Sequence, residues 1–350
     1  MMGREHIANI QLLEDTEIVA IFEPDAAMRV EAAKLAPQVM FCESLEKLLR
    51  LAELDCLVIT SPNYTHVEHL QSIAAQRPLP VLVEKPLYTD PADAEIIKGL
   101  MRDYPSPIWV AMEYRYMPPL AEFIRQAVDV TGGISMLTIR EHRFPFLEKV
   151  NDWNRFNRYS GGTLVEKCCH FFDLMRLVLK AEPTTVMASA GQSHNHLDEK
   201  YNDEVPDIID NAYTIVDFEN GSRAMLELCM FAEGSKYQEH ISAVGANGKI
   251  ECLIPGPTRF WPQSLGEPPT PKIIISPRKE PGQREVEIPV DEKLLMAGDH
   301  QGSTFYQHQK FQQVVLGNAS PEVTLEDGWR AVAMGIAAQR SAATRQSQGL

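Results

Sequence analysis

The chain has 350 residues, of which 44% are hydrophobic, and a formal net charge of −15. This length exceeds what one small core holds and predicts two domains or one large α/β unit. The acidic balance argues against nucleic acid or an anionic membrane as a partner, and no apolar run reaches the roughly 18 residues of a membrane span.

The amino terminus lacks the basic-then-apolar layout of a signal peptide, which predicts a cytoplasmic protein. The six cysteines are scattered, mostly inside apolar runs and without zinc-site spacing, so buried free thiols are expected. The spacing of His194, His196 and Asp198 could hold a metal, but no fourth ligand is evident. No metal is therefore predicted.

The first third of the chain alternates helices with short apolar strands. In chain order, helices are predicted over 4–13, 26–36, 44–51, 65–76 and 90–101, and strands over 16–22 and in the runs DCLVIT, PVLVEKP and IWVAMEY. Strands that are apolar throughout and alternate with helices indicate a parallel sheet covered on both faces. Residues 1–115 are therefore predicted to form a doubly wound, Rossmann-type nucleotide-binding domain.

Longer strand-like stretches follow in residues 116–350. Two of them contain the turn signals ENG and ANG, which favour antiparallel pairing. The Pro-dense segment 255–289 is predicted to be loop and irregular edge, and 324–344 a final helix that begins with Thr-Leu-Glu-Asp. The second part is thus expected to be an antiparallel sheet closed by a helix.

Ligands of parallel sheets bind outside the carboxyl ends of the strands, so the strand-end residues are candidates for a site. Glu23 follows Gly3 at about the 20-residue distance at which dinucleotide folds place the acid that binds the adenosine ribose. An acid there disfavours a 2′-phosphate, so NAD is preferred over NADP. The other strand ends hold Thr60, Ser61, Pro62 and Asn63, then Glu84 and Lys85, then Tyr114 and Arg115.

Lys85 is notable because it ends a buried strand beside Glu84. Burial moves the pKa of a lysine toward the range useful for proton transfer, while a neighbouring carboxylate favours the ammonium. Lys85 is thus a candidate acid, base or hydroxyl anchor, although a surface charge pair would give the same letters.

A second candidate group lies on the segment SGGTLVEKCCHFFDLMRLVLK. At about 100° per residue, Glu166, His170 and Asp173 share one stripe of a helix that is otherwise apolar nearly all round, Lys167 excepted. Such a buried stripe is either a polar network whose hydrogen bonds are all made within the core, or the floor of a binding site. A Glu four residues before a His can orient the imidazole as a base, so Glu166 is predicted to hold His170.

Five motifs occur in order along nearly the whole chain: MGREHIANI, SPNYTHVEH, VLVEKPLYTD, GGTLVEKCCHFFDLMRL and EDGWRAVAMGIAAQRSA. With them the chain resembles the Gfo/Idh/MocA family of NAD(P)-dependent oxidoreductases. The resemblance implies a Rossmann domain and an α+β domain whose large, mostly antiparallel open sheet builds homodimers or homotetramers. It also implies hydride transfer between a nicotinamide and a hydroxyl-bearing carbon of a sugar, polyol or sugar acid.

The resemblance also implies roles for particular residues. Lys85 would contact the substrate and the nicotinamide ribose, His170 would be the catalytic base, and Asp173 would bind a hydroxyl. Family members often have an aspartate where this chain has Glu166, which leaves the role of that residue open. His66 belongs to the cofactor-binding motif SPNYTHVEH. Further residues expected to wall the substrate pocket are Tyr114, Arg115, Arg143, Trp153 and Arg155.

Family members place a Gly-x-Gly-x-x-Gly turn between the first strand and the first helix, and MMG matches only its last three positions. Met1 is therefore interpreted as a mis-assigned or alternative start, with roughly a dozen further residues ahead of it. Two other functions stay open. One is an enzyme that oxidises a sugar transiently with tightly held NAD, to permit elimination or glycoside hydrolysis. The other is a non-catalytic, dinucleotide-sensing regulator.

Overall fold

The computed structural model describes residues 2–350. Its helices are α1 Met2–Ile10, α2 Ala26–Leu35, α3 Leu45–Leu49, α4 His66–Gln76, α5 Ala94–Asp103, α6 Pro118–Thr131, α7 Asn157–Ser160, α8 Thr163–Glu166, α9 Cys169–Leu179, α10 Glu292–Ala297, α11 Ser303–Val315 and α12 Leu325–Thr344. Its strands are β1 Ala20–Phe22, β2 Met40–Cys42, β3 Leu57–Ile59, β4 Val81–Glu84, β5 Ile108–Ala111, β6 Ile134–His142, β7 Pro183–Gly191, β8 Asn211–Phe218, β9 Arg223–Cys229, β10 Glu239–Gly245, β11 Gly248–Ile254, β12 Lys272–Pro277, β13 Arg284–Glu287 and β14 Gln348–Gly349. No helix in this span is long and apolar enough to cross a bilayer.

The first five strands are parallel, as predicted, and they form two sheets. β1 pairs with β2, and β3, β4 and β5 pair in that order. Within residues 2–350 no strand joins β1 to β3. Ile7 of α1 and Ala32 of α2 pack together with Ile21 and Phe41 of the smaller sheet, while Phe22 packs against the main core.

A nine-stranded sheet forms the second part of the chain, in the order β13-β12-β11-β10-β6-β9-β8-β7-β14. All neighbouring strands are antiparallel except β6 and β9, which confirms the mostly antiparallel sheet. The ENG and ANG signals fall in the β8–β9 and β10–β11 hairpins. Gly221 has φ +80°, a left-handed conformation that glycine adopts without a Cβ clash.

Helix α12 packs against both parts of the chain. It begins at the predicted Thr-Leu-Glu-Asp sequence, where Thr324 and Asp327 form a capping box. α12 contacts β5 and α5 in the first part and α8, α9 and β7 in the second. A Cβ at Gly335 would lie 2.5 Å from the Leu164 carbonyl oxygen, so glycine allows α12 to approach the backbone of α8.

The prediction of loop over 255–289 is wrong in part, because this segment contains β12 and β13 at one edge of the large sheet. Ile273 and Ile275 are buried at alternate positions of β12, which is the period of a strand. The prolines lie at the ends of the strand or in the flanking loops, where a missing N–H donor does not disrupt a ladder.

The single helix predicted through Glu166, His170 and Asp173 is broken. α8 ends at Glu166 and α9 begins at Cys169. The N–H groups of both Lys167 and Cys168 point at the Thr163 carbonyl, at 3.0 and 3.3 Å, so the turn contains an additional residue. Four positions therefore no longer correspond to one regular helical turn between Glu166 and His170.

Candidate active site

A cleft that is partly open to solvent lies where α1, the carboxyl ends of β4 and β5, the α8–α9 break and the large sheet meet. Polar side chains from both parts of the chain line it. The polar lining residues include Glu5, Lys85, Tyr114, Arg143, Lys149, Glu166, Lys167, His170, Gln238, Glu239 and His300. The structure thus brings Lys85, Tyr114, Glu166 and His170 to one cleft.

Lys85 extends from the end of β4 toward the α8–α9 break. Its Nζ donates a hydrogen bond to the Glu166 carbonyl oxygen at 3.1 Å. Burial works against the ammonium, but the surrounding acidic groups, Cys169 and then Glu113, raise the pKa of Lys85 above its usual value. Lys85 is therefore a charged hydrogen-bond donor at neutral pH rather than a base.

Glu84 does not face the cofactor edge as predicted. Its Oε1 lies 2.8 Å from His6 Nε2, and His6 Nδ1 lies 2.7 Å from His308 Nε2. All three side chains are buried. Because Glu84 Oε2 also accepts a hydrogen bond from the Lys85 backbone N–H at 3.2 Å, this network fixes the start of the segment that carries Lys85.

His170 is fully enclosed, and its ring stacks on Tyr114 with centroids 4.1 Å apart and planes 6° from parallel. Nε2 lies 3.6 Å from Glu113 Oε1, and Nδ1 has no hydrogen-bond partner. Burial, and then the nearby Lys85, lower the pKa of His170 well below its usual value. The imidazole is therefore neutral at pH 7 and able to accept a proton.

Glu166 does not hold His170 as predicted, and no hydrogen bond joins the two side chains. The carboxylate beside His170 is Glu113, whose pKa burial and the charge of Glu84 raise to about 7. Glu166 instead lies among cations, first Lys149, and burial raises its pKa. The break between α8 and α9 is the physical reason for this difference.

Asp173 and Arg115 do not line the cleft, contrary to the prediction. They bind each other in a bidentate pair, with Arg115 Nε 2.6 Å from Asp173 Oδ2. Arg115 also donates to the Glu322 carbonyl at 2.9 Å. Because the carboxylate is fully buried and both its oxygens are bonded, Asp173 ties α9 to the segment after β5 instead of binding a hydroxyl.

Trp153 and Arg155 are also outside the set of residues that line the cleft. The Trp153 ring packs edge-on against Tyr64, with centroids 6.3 Å apart. Arg155 Nε donates to Glu199 Oε2 at 2.9 Å. Both side chains therefore stabilise the segment that precedes the α8–α9 break.

The edge predicted to bind the dinucleotide fits such a molecule at two places. A Cβ at Gly3 would lie 3.0 Å from Thr60 Oγ1, so a residue without a side chain lets α1 approach the end of β3 closely. Glu23 follows β1, and its Oε1 accepts the Asp25 N–H at 2.9 Å. The arrangement leaves the second carboxylate oxygen free of protein hydrogen bonds, as binding to a ribose requires.

The loop after β3 is held by hydrogen bonds within the loop and to the neighbouring helices α4 and α7. Ser61 Oγ lies 3.0 Å from His69 Nδ1, and Asn63 Nδ2 is 3.5 Å from the Ser160 carbonyl. The Pro62 carbonyl accepts hydrogen bonds from Thr65.

His66 is fully buried in this region and is placed differently from its prediction. Its two ring nitrogens lie 2.8 Å from the Pro86 carbonyl oxygen and 3.0 Å from the Ser61 carbonyl oxygen. His66 thus connects the two strand-end loops through both nitrogens of its ring.

Sequence reasoning missed several side chains in or beside the cleft. Glu113 lies two residues after the end of β5, so the strand-end rule could have found it. Glu5 and His300 form an ion pair at 2.8 Å. Burial opposes both charges, yet the pair raises the pKa of His300 to about 9 and lowers that of Glu5 to about 2. Lys167 and Glu239 reach the cleft from the helix break and the large sheet, and no local sequence pattern marks them or His300.

His194 and His196 lie in the loop after β7. The His194 N–H binds Asp210, and His196 Nδ1 lies 2.8 Å from Glu199. Residues 2–350 contain no group of three or more His, Cys, Asp or Glu side chains arranged to hold a metal ion.

A nucleotide-type domain whose strand ends face a protonated lysine and a neutral histidine is typical of dinucleotide-dependent oxidoreductases. Residues 1–112 match the NAD-binding Rossmann fold of the Gfo/Idh/MocA oxidoreductase family, and residues 125–350 match its C-terminal α/β domain. The chain belongs to this family, and NAD is the cofactor of its amino-terminal domain.

Three known proteins illustrate the similarity. An inositol 2-dehydrogenase of Leifsonia xyli subsp. xyli is 39% identical over 263 residues, 74% of this chain and 72% of that protein. The rhizopine catabolism protein MocA of Rhizobium meliloti is 26% identical over 192 residues, 55% of this chain and only 58% of that protein. A levoglucosan dehydrogenase, solved with NADH and levoglucosan, has the same fold with a TM-score of 0.80, 17% identity and coverage of 100% and 97% of the two chains.

Proposed function

We propose that this protein is an NAD-dependent dehydrogenase that oxidises a CH–OH group of a sugar, an inositol-like polyol or a sugar acid. One observation carries the proposal: the Lys85 ammonium and the neutral His170 imidazole line one cleft at the carboxyl ends of the parallel strands. The similarity to an inositol 2-dehydrogenase supports a polyhydroxylated substrate.

Each polar group has a defined task in this proposal. NAD, when bound along the edge formed by Gly3, Glu23 and Thr60, supplies the hydride acceptor. His170 accepts the hydroxyl proton, and its stacking on Tyr114 keeps the ring in a fixed plane. Lys85 donates a hydrogen bond to the hydroxyl oxygen, where negative charge develops as the proton leaves.

The variant His170→Ala tests this assignment. General-base catalysis contributes about 10²–10⁴-fold to a rate, so we expect kcat to fall by at least about 100-fold. The dissociation constant for NADH, measured by fluorescence titration, should change by less than about twofold, because His170 is assigned to the substrate proton.

A matched control is His240→Ala, which removes a half-buried imidazole paired with Glu251 in the large sheet. We expect this variant to keep wild-type turnover. Full turnover in His170→Ala would refute the role of the base. Wild-type turnover of a glycoside without net release of NADH would instead favour the transient-oxidation mechanism.

We also propose that the open face of the large sheet forms a homo-oligomer. Tyr213 and Ile215 are 59% and 44% exposed there, and Met187 pairs with Ile215 in the neighbouring strand. Helices α9 and α12 contact the sheet, while these apolar side chains face solvent. Contiguous exposed apolar side chains are typical of interfaces.

We propose residues 1–115 as the cofactor domain and 116–350 as the substrate and oligomerisation domain, because the parallel strands end at 111 and the large sheet begins at 134.

We also propose that the protein is cytoplasmic. All six cysteines are free thiols, which is compatible with the reducing environment of the cytoplasm.

A further inference from the structure

The cleft contains more positive charge than its carboxylates balance. Lys149 lines the cleft 5.7 Å from the centre of the Trp153 ring. Among residues 2–350, no side chain or carbonyl accepts a hydrogen bond from its ammonium, and no carboxylate lies within 4.0 Å. Lys85 likewise has only a backbone carbonyl as its hydrogen-bond partner. Neither ammonium group therefore has a carboxylate within ion-pair distance.

Arg143 is a third cation of the cleft, and it shares its nearest carboxylate with another cation. Glu141 lies 2.9 Å from Lys167 Nζ and 3.6 Å from Arg143 Nη1, so one carboxylate serves two cations. The guanidinium is held in place, because its Nε donates to the Phe144 carbonyl at 3.2 Å and its Cζ lies 4.4 Å from the Phe144 ring centre. Its Nη2 makes no hydrogen bond to the described residues.

The remaining carboxyl groups of the cleft do not supply the missing negative charge. Burial, and then the charge of Glu141, raise the pKa of Glu239 to about 7, and Gln238 donates to its Oε1 at 2.7 Å. Burial also raises the pKa of Glu166, whose Oε2 has no partner. Glu5 is already paired with His300, and Asp299, which also lines the cleft, is paired with Arg259 at 2.6 Å.

We propose that Arg143 and Lys149 form a subsite for a substrate carboxylate, so that the substrate is a hydroxylated acid rather than a neutral polyol. The inference rests on the proposed dehydrogenase function and narrows its substrate class. A guanidinium and an ammonium in a partly enclosed cleft form strong charge-assisted hydrogen bonds to a carboxylate. Glu166 Oε2 has no partner in the protein and is placed to accept a substrate hydroxyl.

Binding can be measured without turnover. Calorimetry on the full chain with NADH would compare D-glucuronate with D-glucose, D-galacturonate with D-galactose, and glucose 6-phosphate as a third anion. We expect each acid to bind at least about tenfold more tightly than its neutral partner. Lys149→Gln and Arg143→Gln should each weaken binding of the acid about tenfold and change binding of the neutral sugar less than twofold.

Two control variants distinguish the effect of removing a positive charge from the cleft from the effect of disturbing the structure. Lys149→Arg keeps the charge and should retain the preference for the acid. Lys293→Gln removes an exposed lysine of α10, outside the cleft, and should leave all affinities unchanged. Melting temperatures of the variants identify any that fail to fold.

Equal affinity within every pair, including no measurable binding of either member, would overturn the carboxylate subsite, as would preference for the phosphate. Formation of NADH in the same samples tests the dehydrogenase function separately. Preferential binding of acids without NADH formation supports the subsite and refutes the dehydrogenase. NADH formation from neutral polyols without preference for acids refutes the subsite alone.

Discussion

At the scale of single residues, burial and nearby charge divide the acid–base roles in the cleft. Lys85 is partly buried and His170 is enclosed, yet their pKa values move in opposite directions. Burial opposes both charges, but acidic neighbours keep Lys85 protonated, while neighbouring cations reinforce the neutral form of His170. The pair therefore supplies a donor and a base at the same pH.

We expect Glu113 to give the proposed base, His170, a pH dependence. Its carboxyl group is neutral below a pKa of about 7 and ionised above it. An ionised Glu113, 3.6 Å from His170, stabilises the imidazolium that forms when the ring accepts a proton. We expect kcat/KM for alcohol oxidation to rise with pH through about 7. In Glu113→Gln, this inflection should be lost, and the value above pH 8 should fall about tenfold.

Glu239 is the matched comparison, because its pKa is also about 7 but it is bonded to Gln238. The pH profile of Glu239→Gln should keep the inflection near pH 7. A profile of Glu113→Gln that still rises through pH 7 would show that another group controls the base.

At the scale of elements, the contact between α12 and α8 positions one wall of the cleft. α8 ends at Glu166, and α12 packs on its backbone at Gly335. Backbone atoms cannot move aside as the end of a flexible side chain can. The position of the cleft wall thus depends on a helix that lies at the carboxyl-terminal end of the chain.

Gly335→Ala should displace this contact. Its Cβ would lie 2.5 Å from the Leu164 carbonyl oxygen and 3.1 Å from the Val165 Cα. Overpacking of this kind costs about 1–3 kcal/mol, so we expect a lower melting temperature and a lower kcat/KM. Gly99→Ala in α5 is the control, because its Cβ meets nothing within 4 Å. It should stabilise the protein by up to about 1 kcal/mol and leave activity unchanged.

Thermal unfolding monitored by circular dichroism measures both glycine variants. An unchanged melting temperature in Gly335→Ala would mean that α12 can shift without cost, and that α8 is positioned by other contacts.

At the scale of the whole molecule, the large sheet joins two surfaces with different tasks. Gln238 and Glu239 reach the cleft at the start of β10, whereas Tyr213 and Ile215 of β8 are exposed on the open face. Alternation along strands allows one sheet to build a substrate wall and a proposed subunit interface.

The double variant Tyr213→Glu/Ile215→Glu should dissociate the proposed oligomer, because it places charges in an apolar interface. Light scattering should show the mass falling to that of one chain, 39.4 kDa. Val30→Glu, a change at a 57% exposed apolar residue of α2, is the control and should keep the wild-type mass. A wild-type protein that already has the mass of one chain would refute the interface.

The sequence alone determined the parallel and antiparallel parts, the NAD-binding family and the placing of Lys85 and His170 in one cleft. Those features follow from local patterns, such as apolar runs, turn residues and strand-end motifs. The tertiary structure decided which charges meet. Because the helix is broken, the carboxylate beside His170 is Glu113 and not Glu166. Arg115 forms an ion pair with Asp173, and Glu84 forms one with His6. Such pairings join residues far apart in the chain, and a single additional residue in a turn redirects them, so residue spacing alone does not reveal them.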